Sequence, residues 1–343
     1  MTDSPCRLSL DGDALVSNWR ALDRMSGRAA CGAAVKADGY GVGARAVVAR
    51  LRAAGCRDFF VATWAEAVAL GQMPGTVSVL HGVRAEDMAQ VGLPGVRPVL
   101  NTFAQVARWK AANGGACDVM VDTGMNRLGV SVDDIATGLL DGLTVETLMS
   151  HLACADDDTV MNIRQRDLLA GLAGRTNARR LSLANSAGIA LGADFAFDLT
   201  RPGLALYGGV PRGELSDTIR PVVQIEAQIL QRRTVRRGKT VGYNATWTAP
   251  ADTPVAIVNL GYADGYFRGF SDCGTAWAGD ARLPVIGRVS MDLTALDISA
   301  ALAVGEGDWI TFDPDLPAAA RVSGMSQYEL LTGLGARFDR LWR

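Results

Sequence analysis

From about residue 12 to residue 205, short apolar runs alternate with amphipathic stretches of helix length. Strands are expected near 32–37, 59–64, 77–82, 97–102, 117–123, 145–152, 181–186 and 197–202. Helical patterns such as Asp11–Met25, Ala44–Ala54, Phe103–Asn113, Val132–Leu140 and Asp158–Ala173 lie between them. About eight strands, each followed by a helix-length segment, is the count of a (β/α)8 barrel, a TIM-like α/β fold. A doubly wound open sheet gives a similar alternation. The polar residues separate the two: Lys36, Asp122, His151, Asn185-Ser186 and Arg201 fall at the C-terminal ends of expected strands. Barrel enzymes build their sites there.

After Gly209 the texture changes. Pro211-Arg212-Gly213-Glu214-Leu215-Ser216 reads as a linker. Beyond it come alternating apolar runs bounded by Gly, Asp and Pro (Val222–Leu230, Thr253–Leu260, Arg282–Val289, Asp308–Phe312), then one late helix, Ser326–Leu334. A mostly β C-terminal domain follows. The expected division is a barrel over 1–214, with the first ten or so residues free to pair with the second domain, and a β domain over 215–343.

Charge narrows the function classes. The chain carries 34 Lys+Arg against 36 Asp+Glu, with no basic block of nucleic-acid size. Six cysteines show no C-x-x-C pair and no metal spacing, which suits reduced thiols in a cytoplasmic protein. The start Met-Thr-Asp-Ser-Pro has no secretory pattern and no apolar run reaches membrane-spanning length. Neither a nucleic-acid nor a membrane partner is expected.

Lysine is rare. The chain has three (Lys36, Lys110, Lys239) against 31 arginines. An amine, unlike a guanidinium, can lose its proton and form a Schiff base. Lys36 closes an apolar run and is followed by Ala37-Asp38-Gly39-Tyr40-Gly41-Val42-Gly43-Ala44, a tight turn leading into a helix. A lysine snorkelling from a strand end is the plain alternative. The glycine spacing is close to a dinucleotide fingerprint, but its third glycine is misplaced, and the acidic residue required some 20 positions on is offered only by Asp58 at a strand's start.

The string VKADGYGVGA resembles the pyridoxal-phosphate lysine motif of the alanine racemase family. That resemblance makes Lys36 the residue that carries the cofactor in Schiff-base linkage and one catalytic base, with Tyr40 near the cofactor phosphate. Further strings resemble the family in the family's order. Asp122-Thr123-Gly124-Met125-Asn126-Arg127-Leu128-Gly129 implies that Arg127 reaches the cofactor's phenolic oxygen and steadies the substrate carboxylate. Many family members carry a carboxylated lysine two residues before that Asp; here the position is Met120, so an anion or a side chain such as Asn126 is left to hold Arg127. Ser150-His151-Leu152-Ala153 implies that His151 hydrogen-bonds the catalytic tyrosine. His81, with no motif around it, is given no role.

Ala184-Asn185-Ser186-Ala187-Gly188 and Arg201-Pro202-Gly203-Leu204-Ala205-Leu206-Tyr207-Gly208 follow expected strands seven and eight, the usual phosphate position of barrel enzymes. By resemblance Ser186, Gly203 and Leu204 bind the phosphate and Arg201 the pyridine nitrogen. Gly261-Tyr262-Ala263-Asp264-Gly265-Tyr266 makes Tyr262 the second base. Gly287-Arg288-Val289-Ser290-Met291-Asp292 puts Met291 and Asp292 on the substrate side, and Tyr328 matches a late tyrosine at the phosphate.

The resemblance implies racemisation of a small amino acid, alanine foremost, by Lys36 and a Tyr262 supplied by the partner subunit of a homodimer with shared sites. Serine or a broader substrate set is the nearest alternative. A non-catalytic pyridoxal-phosphate-binding protein on the same barrel is a third, and it would lack the second domain and its tyrosine.

Overall fold

In a computed structural model, residues 4–71, 75–312 and 315–343 are described. They form two compact units. One comprises Leu15–Leu206 and Val210–Ile219; the other comprises the N-terminal residues to Ala14, Tyr207–Gly209 and Arg220–Arg343.

The first unit is the barrel. Strand one is Ala30–Cys31 with Ala33–Ala34; strands two to eight are Asp58–Val61, Thr76–Val79, Val96–Leu100, Cys117–Asp122, Val145–Met149, Arg180–Ser182 and Leu199–Thr200. Each pairs in parallel with the next in sequence from one through seven. Strand eight closes the ring. Leu199 and Thr200 register against Ala30 and Cys31, Gly32 N–H reaches Thr200 O at 2.9 Å and Ala34 N–H reaches Pro202 O at 2.8 Å. On its other side Arg201 N–H reaches Ala184 O at 2.8 Å. Closure removes every sheet edge, which the doubly wound alternative would leave.

The helices start where short polar side chains take up the first free N–H groups. Thr63 and Glu66 form a capping box on Trp64–Leu70, Thr102 caps Phe103–Ala111, and Asn185 caps Ser186–Ala190. Two connections differ from expectation. After strand three there is a 3₁₀ turn, Glu86–Gln90, in a stretch broken by Gly92, Pro94 and Gly95. The helix expected over Val132–Leu140 ends at Ala136, just ahead of Gly138 at φ +83°. The stretch read as a linker is packed into the barrel unit instead. Leu215 is fully buried, and the Arg212 guanidinium donates to Ala155 O (3.1 Å), Asp158 (2.7 Å) and Glu214 (2.7 Å).

Charged residues cross the barrel floor, near the N-terminal ends of the strands. Arg180 bonds Asp58 at 2.8 Å, Arg97 bonds the fully buried Asp118 at 2.8 Å, and Ser78 Oγ donates to Asp118 at 2.6 Å. Asp58 thus serves an ion pair rather than a ribose.

In the second unit, strand Val223–Val235 is the hub. It pairs antiparallel with Cys6–Leu10, with Trp309–Phe312 and with Thr253–Val258. Cys6–Leu10 also pairs in parallel with Asp339–Trp342. Strands Thr275–Ala278, Ala281–Pro284 and Thr294–Asp297 complete the sheet. Two late helices are present rather than one: Leu316–Ser323, and Gln327–Thr332 with its Ser326–Glu329 capping box. Among the described residues no helix is long and apolar enough to cross a membrane.

Gly32 sits where strand eight meets strand one. A Cβ there would stand 2.8 Å from Asp58 O and 2.8 Å from the Phe60 ring. Gly32→Ala is expected to cost about 1–3 kcal/mol by overpacking, read as a lower thermal midpoint. An unchanged midpoint would contradict this closure.

Candidate active site

Lys36 lies just past strand one, at the head of an unusual turn. Ala37, Asp38, Gly39 and Tyr40 all have left-handed backbone, with φ of 54°, 52°, 64° and 54°. For residues with a Cβ this conformation costs roughly 1–2 kcal/mol each, so the turn must be held from outside. Gly39 N–H bonds Val35 O and Gly43 N–H bonds Asp38 O, both at 2.8 Å, while Asp38 Oδ1 accepts Ala44 N–H at 2.8 Å and starts helix Ala44–Ala54. Gly39 is needed twice over: its φ is positive, and a Cβ would approach Ala44 Cα to 3.0 Å.

The turn brings the Tyr40 hydroxyl against strand eight. A Cβ on Gly203 would meet it at 2.2 Å, so only glycine fits there. Ser186 Oγ accepts the N–H groups of Gly203 (3.0 Å) and Ala205 (3.1 Å), and Leu204 is buried beside them. Tyr40, Ser186, Gly203 and Leu204 therefore lie close together at one end of the barrel, with the Tyr40 hydroxyl against Gly203 and Ser186 Oγ holding the backbone on either side of Leu204.

Arg201 is buried. Its fork donates to Ser182 Oγ and to Ser150 O, tying strands six and seven together. Burial lowers its pKa to about 10, with Asp118 opposing, which leaves it charged at neutral pH. Burial is also the main reason the Lys36 amine is held below its usual range, helped by Arg127 and Arg201 and opposed by Glu66. His151 is lowered to about 3, first by burial, then by Arg201, Arg127 and Lys36. At neutral pH it is an uncharged imidazole that can donate one hydrogen bond and accept one.

Arg127 is exposed in the loop after strand five and has no ion-pair partner among the described residues. Met120 is buried. Asn126 donates its amide to Gly124 O at 3.3 Å and its N–H to Asp122 Oδ1 at 3.1 Å, and among the described residues it makes no hydrogen bond to Arg127. A residue that the motifs did not single out joins these loops. Gln165, fully buried, donates to His151 O (2.9 Å) and Thr123 Oγ1 (3.3 Å) and accepts Ala153 N–H (2.8 Å). Its only sequence signal is a polar residue on the inward face of helix Val160–Ala170.

The second unit holds Tyr262, Met291, Asp292 and Tyr328. Tyr262 opens a 3₁₀ turn, half-buried, with the Arg268 guanidinium 5.3 Å from its ring centre. The turn is locked to the Ser290–Asp292 stretch. Tyr262 N–H bonds Ser290 O and Ala263 N–H bonds Met291 O, both at 3.0 Å, and a Cβ on Gly261 would lie 2.4 Å from Met291 O. Buried Asp264 accepts Gly261 N–H at 3.0 Å and Arg337 Nε at 2.6 Å, while Arg337 also donates to Asp292 at 2.7 Å. Asp292 is thereby committed to steadying the turn, and Met291 is exposed. Tyr328 is half-buried on helix Gln327–Thr332.

Among the described residues no cluster of His, Cys, Asp or Glu could hold a metal. Residues 10–211 match the family "Alanine racemase, N-terminal domain" and residues 222–342 match "Alanine racemase, C-terminal domain". The chain is 41% identical to the alanine racemase of Acidiphilium cryptum over 97% of its own length and 98% of that protein's. It is 41% identical to the biosynthetic alanine racemase of Agrobacterium fabrum over 98% and 93%. It superposes with a TM-score of 0.91, at 32% identity and complete coverage of both chains, on the crystal structure of alanine racemase from Bartonella henselae with covalently bound pyridoxal phosphate. With both domain families matched in order and relatives aligned from end to end, the chain belongs to the alanine racemase family.

Proposed function

We propose that this protein interconverts L- and D-alanine with pyridoxal phosphate, using two bases on opposite faces of the substrate: Lys36 and the Tyr262 of the partner subunit. The observation that carries the reading is the barrel-end arrangement, an amine held below its usual range at the head of the turn that brings the Tyr40 hydroxyl to Gly203 and Ser186.

These residues fit the cofactor. A phosphate dianion needs hydrogen-bond donors, and Tyr40, Ser186, Gly203 and Leu204 would supply them; a Cβ at Gly203 would collide with the Tyr40 hydroxyl and displace it. Arg201 would face the ring nitrogen and Lys36 would carry the cofactor through its amine. When bound, the cofactor supplies an electron sink for the pair left on the substrate α-carbon.

The chain's own groups move the protons. An amine disfavoured as ammonium by burial is more often a free base at neutral pH, which lets Lys36 take a proton on one face. Arg201 stays charged and donates hydrogen bonds without releasing its proton, so a ring nitrogen held against it would stay unprotonated, a condition that disfavours transamination. Tyr262 works on the other face. A phenol titrates near 10 and needs help at neutral pH; in this reading the partner's Tyr262 hydroxyl bonds the neutral His151, backed by Arg201. Arg127, with no carboxylate partner among the described residues, is open to a bidentate bond with the substrate carboxylate. By resemblance Asp292, which braces the Tyr262 turn through Arg337, and Met291 would lie on the substrate side, and Tyr328 would add a hydroxyl at the phosphate.

Wild-type protein is expected to invert L-alanine in a polarimetric assay. Tyr262→Phe is expected to lose about 10²–10⁴-fold of that rate while keeping the cofactor's absorption. Near-normal racemisation by the variant would remove Tyr262 from the two-base scheme.

Lys36→Ala and Tyr262→Phe, each inactive alone, are expected to complement when mixed under subunit exchange. Each heterodimer then holds one site with both bases and one with neither, so about a quarter of all sites recover under free exchange. With heterodimers confirmed by mass on differently tagged chains, no recovery would mean that both bases come from one chain.

A further inference from the structure

One carboxylate ties the Lys36 turn to the next β/α unit of the barrel. Glu66, on helix Trp64–Leu70, accepts Ala37 N–H on Oε1 at 2.8 Å. Its Oε2 accepts the N–H groups of Ala62 (2.6 Å) and Thr63 (3.3 Å) at the end of strand two. Its own N–H is capped by Thr63 Oγ1 at 3.2 Å. A capping box needs a single side-chain oxygen to reach back. The second oxygen, spent on the residue that follows Lys36, is not required by the helix end.

The same group balances the charge there. The groups acting on the Lys36 amine are Arg127 from the loop after strand five, Arg201 from strand eight and Glu66 from the helix after strand two; His151, past strand six, is uncharged at neutral pH. Of the three, only Glu66 favours the ammonium.

We propose that Glu66 is a positioning residue for the Lys36 amine, holding its turn through Ala37 and offsetting the two arginines across it. For its catalytic meaning this rests on the role of Lys36 given above; its geometry does not.

The test reads the amine directly. Full-length protein freed of cofactor is trace-labelled with acetic anhydride over a pH series, and labelled peptides are quantified by mass. The three lysines give three midpoints, with Lys110 and Lys239 as internal references. Removing a carboxylate near an amine destabilises the ammonium, so Glu66→Gln is expected to lower the Lys36 midpoint and speed its labelling at neutral pH, leaving Lys110 and Lys239 unmoved. Glu66→Asp, which keeps the charge, is expected to hold the midpoint near that of the wild type. Thr63→Ala, which removes only the cap, is expected to lower thermal stability without moving it. A Lys36 midpoint unmoved or raised in Glu66→Gln overturns the proposal, as does a drop in Glu66→Asp equal to that in Glu66→Gln. Should Glu66→Gln not fold, hydrogen exchange on the wild type decides: a protected Ala37 amide supports the bond to Glu66, and an unprotected one overturns it. Failure of the functional reading shows elsewhere, as absent inversion of alanine, because this midpoint is read without cofactor or substrate.

Discussion

Five consecutive residues with left-handed backbone, Ala37 to Gly41, are the constraint on which the barrel's site depends. Isolated, such a turn would unwind, because only two of the five are glycine and the other three carry a Cβ against the following carbonyl. It persists because its ends are fixed. Strand one is clamped between strands two and eight, and Asp38 anchors the helix that follows. The consequence is geometric. The chain reverses within a few residues of Lys36, so the hydroxyl of Tyr40 returns to Gly203 on the far side of the ring closure, and one turn supplies both an amine and a hydroxyl.

Around that turn the protein crowds positive charge. Arg201 is buried, Arg127 is near enough to depress both Lys36 and His151, and the amine itself adds to the field on His151. Desolvation dominates each of these shifts, with the like charges adding to it. Two carboxylates act against this field: Glu66 at the turn raises Lys36, and Asp118 at the barrel floor raises Arg201 while itself pushed up by burial against the pull of Arg97. A site of this kind keeps its imidazole neutral and is poised for anionic groups, a phosphate and a carboxylate among them.

Much of this is legible in the chain. The alternation of apolar runs yields eight strands in the right order, because barrel strands buried on both faces read as short continuous apolar stretches. Their ends read too long: residues 35–37 look like strand, yet the strand stops at Ala34, since nothing in the apolar pattern announces left-handed backbone at Ala37 and Asp38. The floor pairs Asp58–Arg180 and Arg97–Asp118 are invisible in sequence because their partners lie on separate strands that only the closed ring brings together. Gln165 is hidden for a related reason, as one of several polar residues on its helix whose bond to Thr123 spans two connections of the barrel. The helix Leu316–Ser323 escapes the pattern although Asp315 caps it and Pro317 stands in its first turn, because its 8 residues are too few for a helical period to stand out. The charged Gly-flanked stretch at Arg212 suggests a linker, and it is the long-range bonds of that one guanidinium that make it part of the barrel.

The motifs reach further than the periodicity. Of the barrel residues they single out, Tyr40, Ser186, Gly203 and Arg201 make close contacts or hydrogen bonds at the C-terminal end of the ring, and the tyrosine turn of the second unit is a separately braced piece, held by Asp264, Arg337 and Asp292. The proposed chemistry turns on the amine at the head of the left-handed turn. Borohydride reduction of the protein as purified, followed by peptide mapping, tests it most directly. A pyridoxyl group is predicted on the peptide containing Lys36; label on Lys110 or Lys239, or none on any lysine, would contradict it.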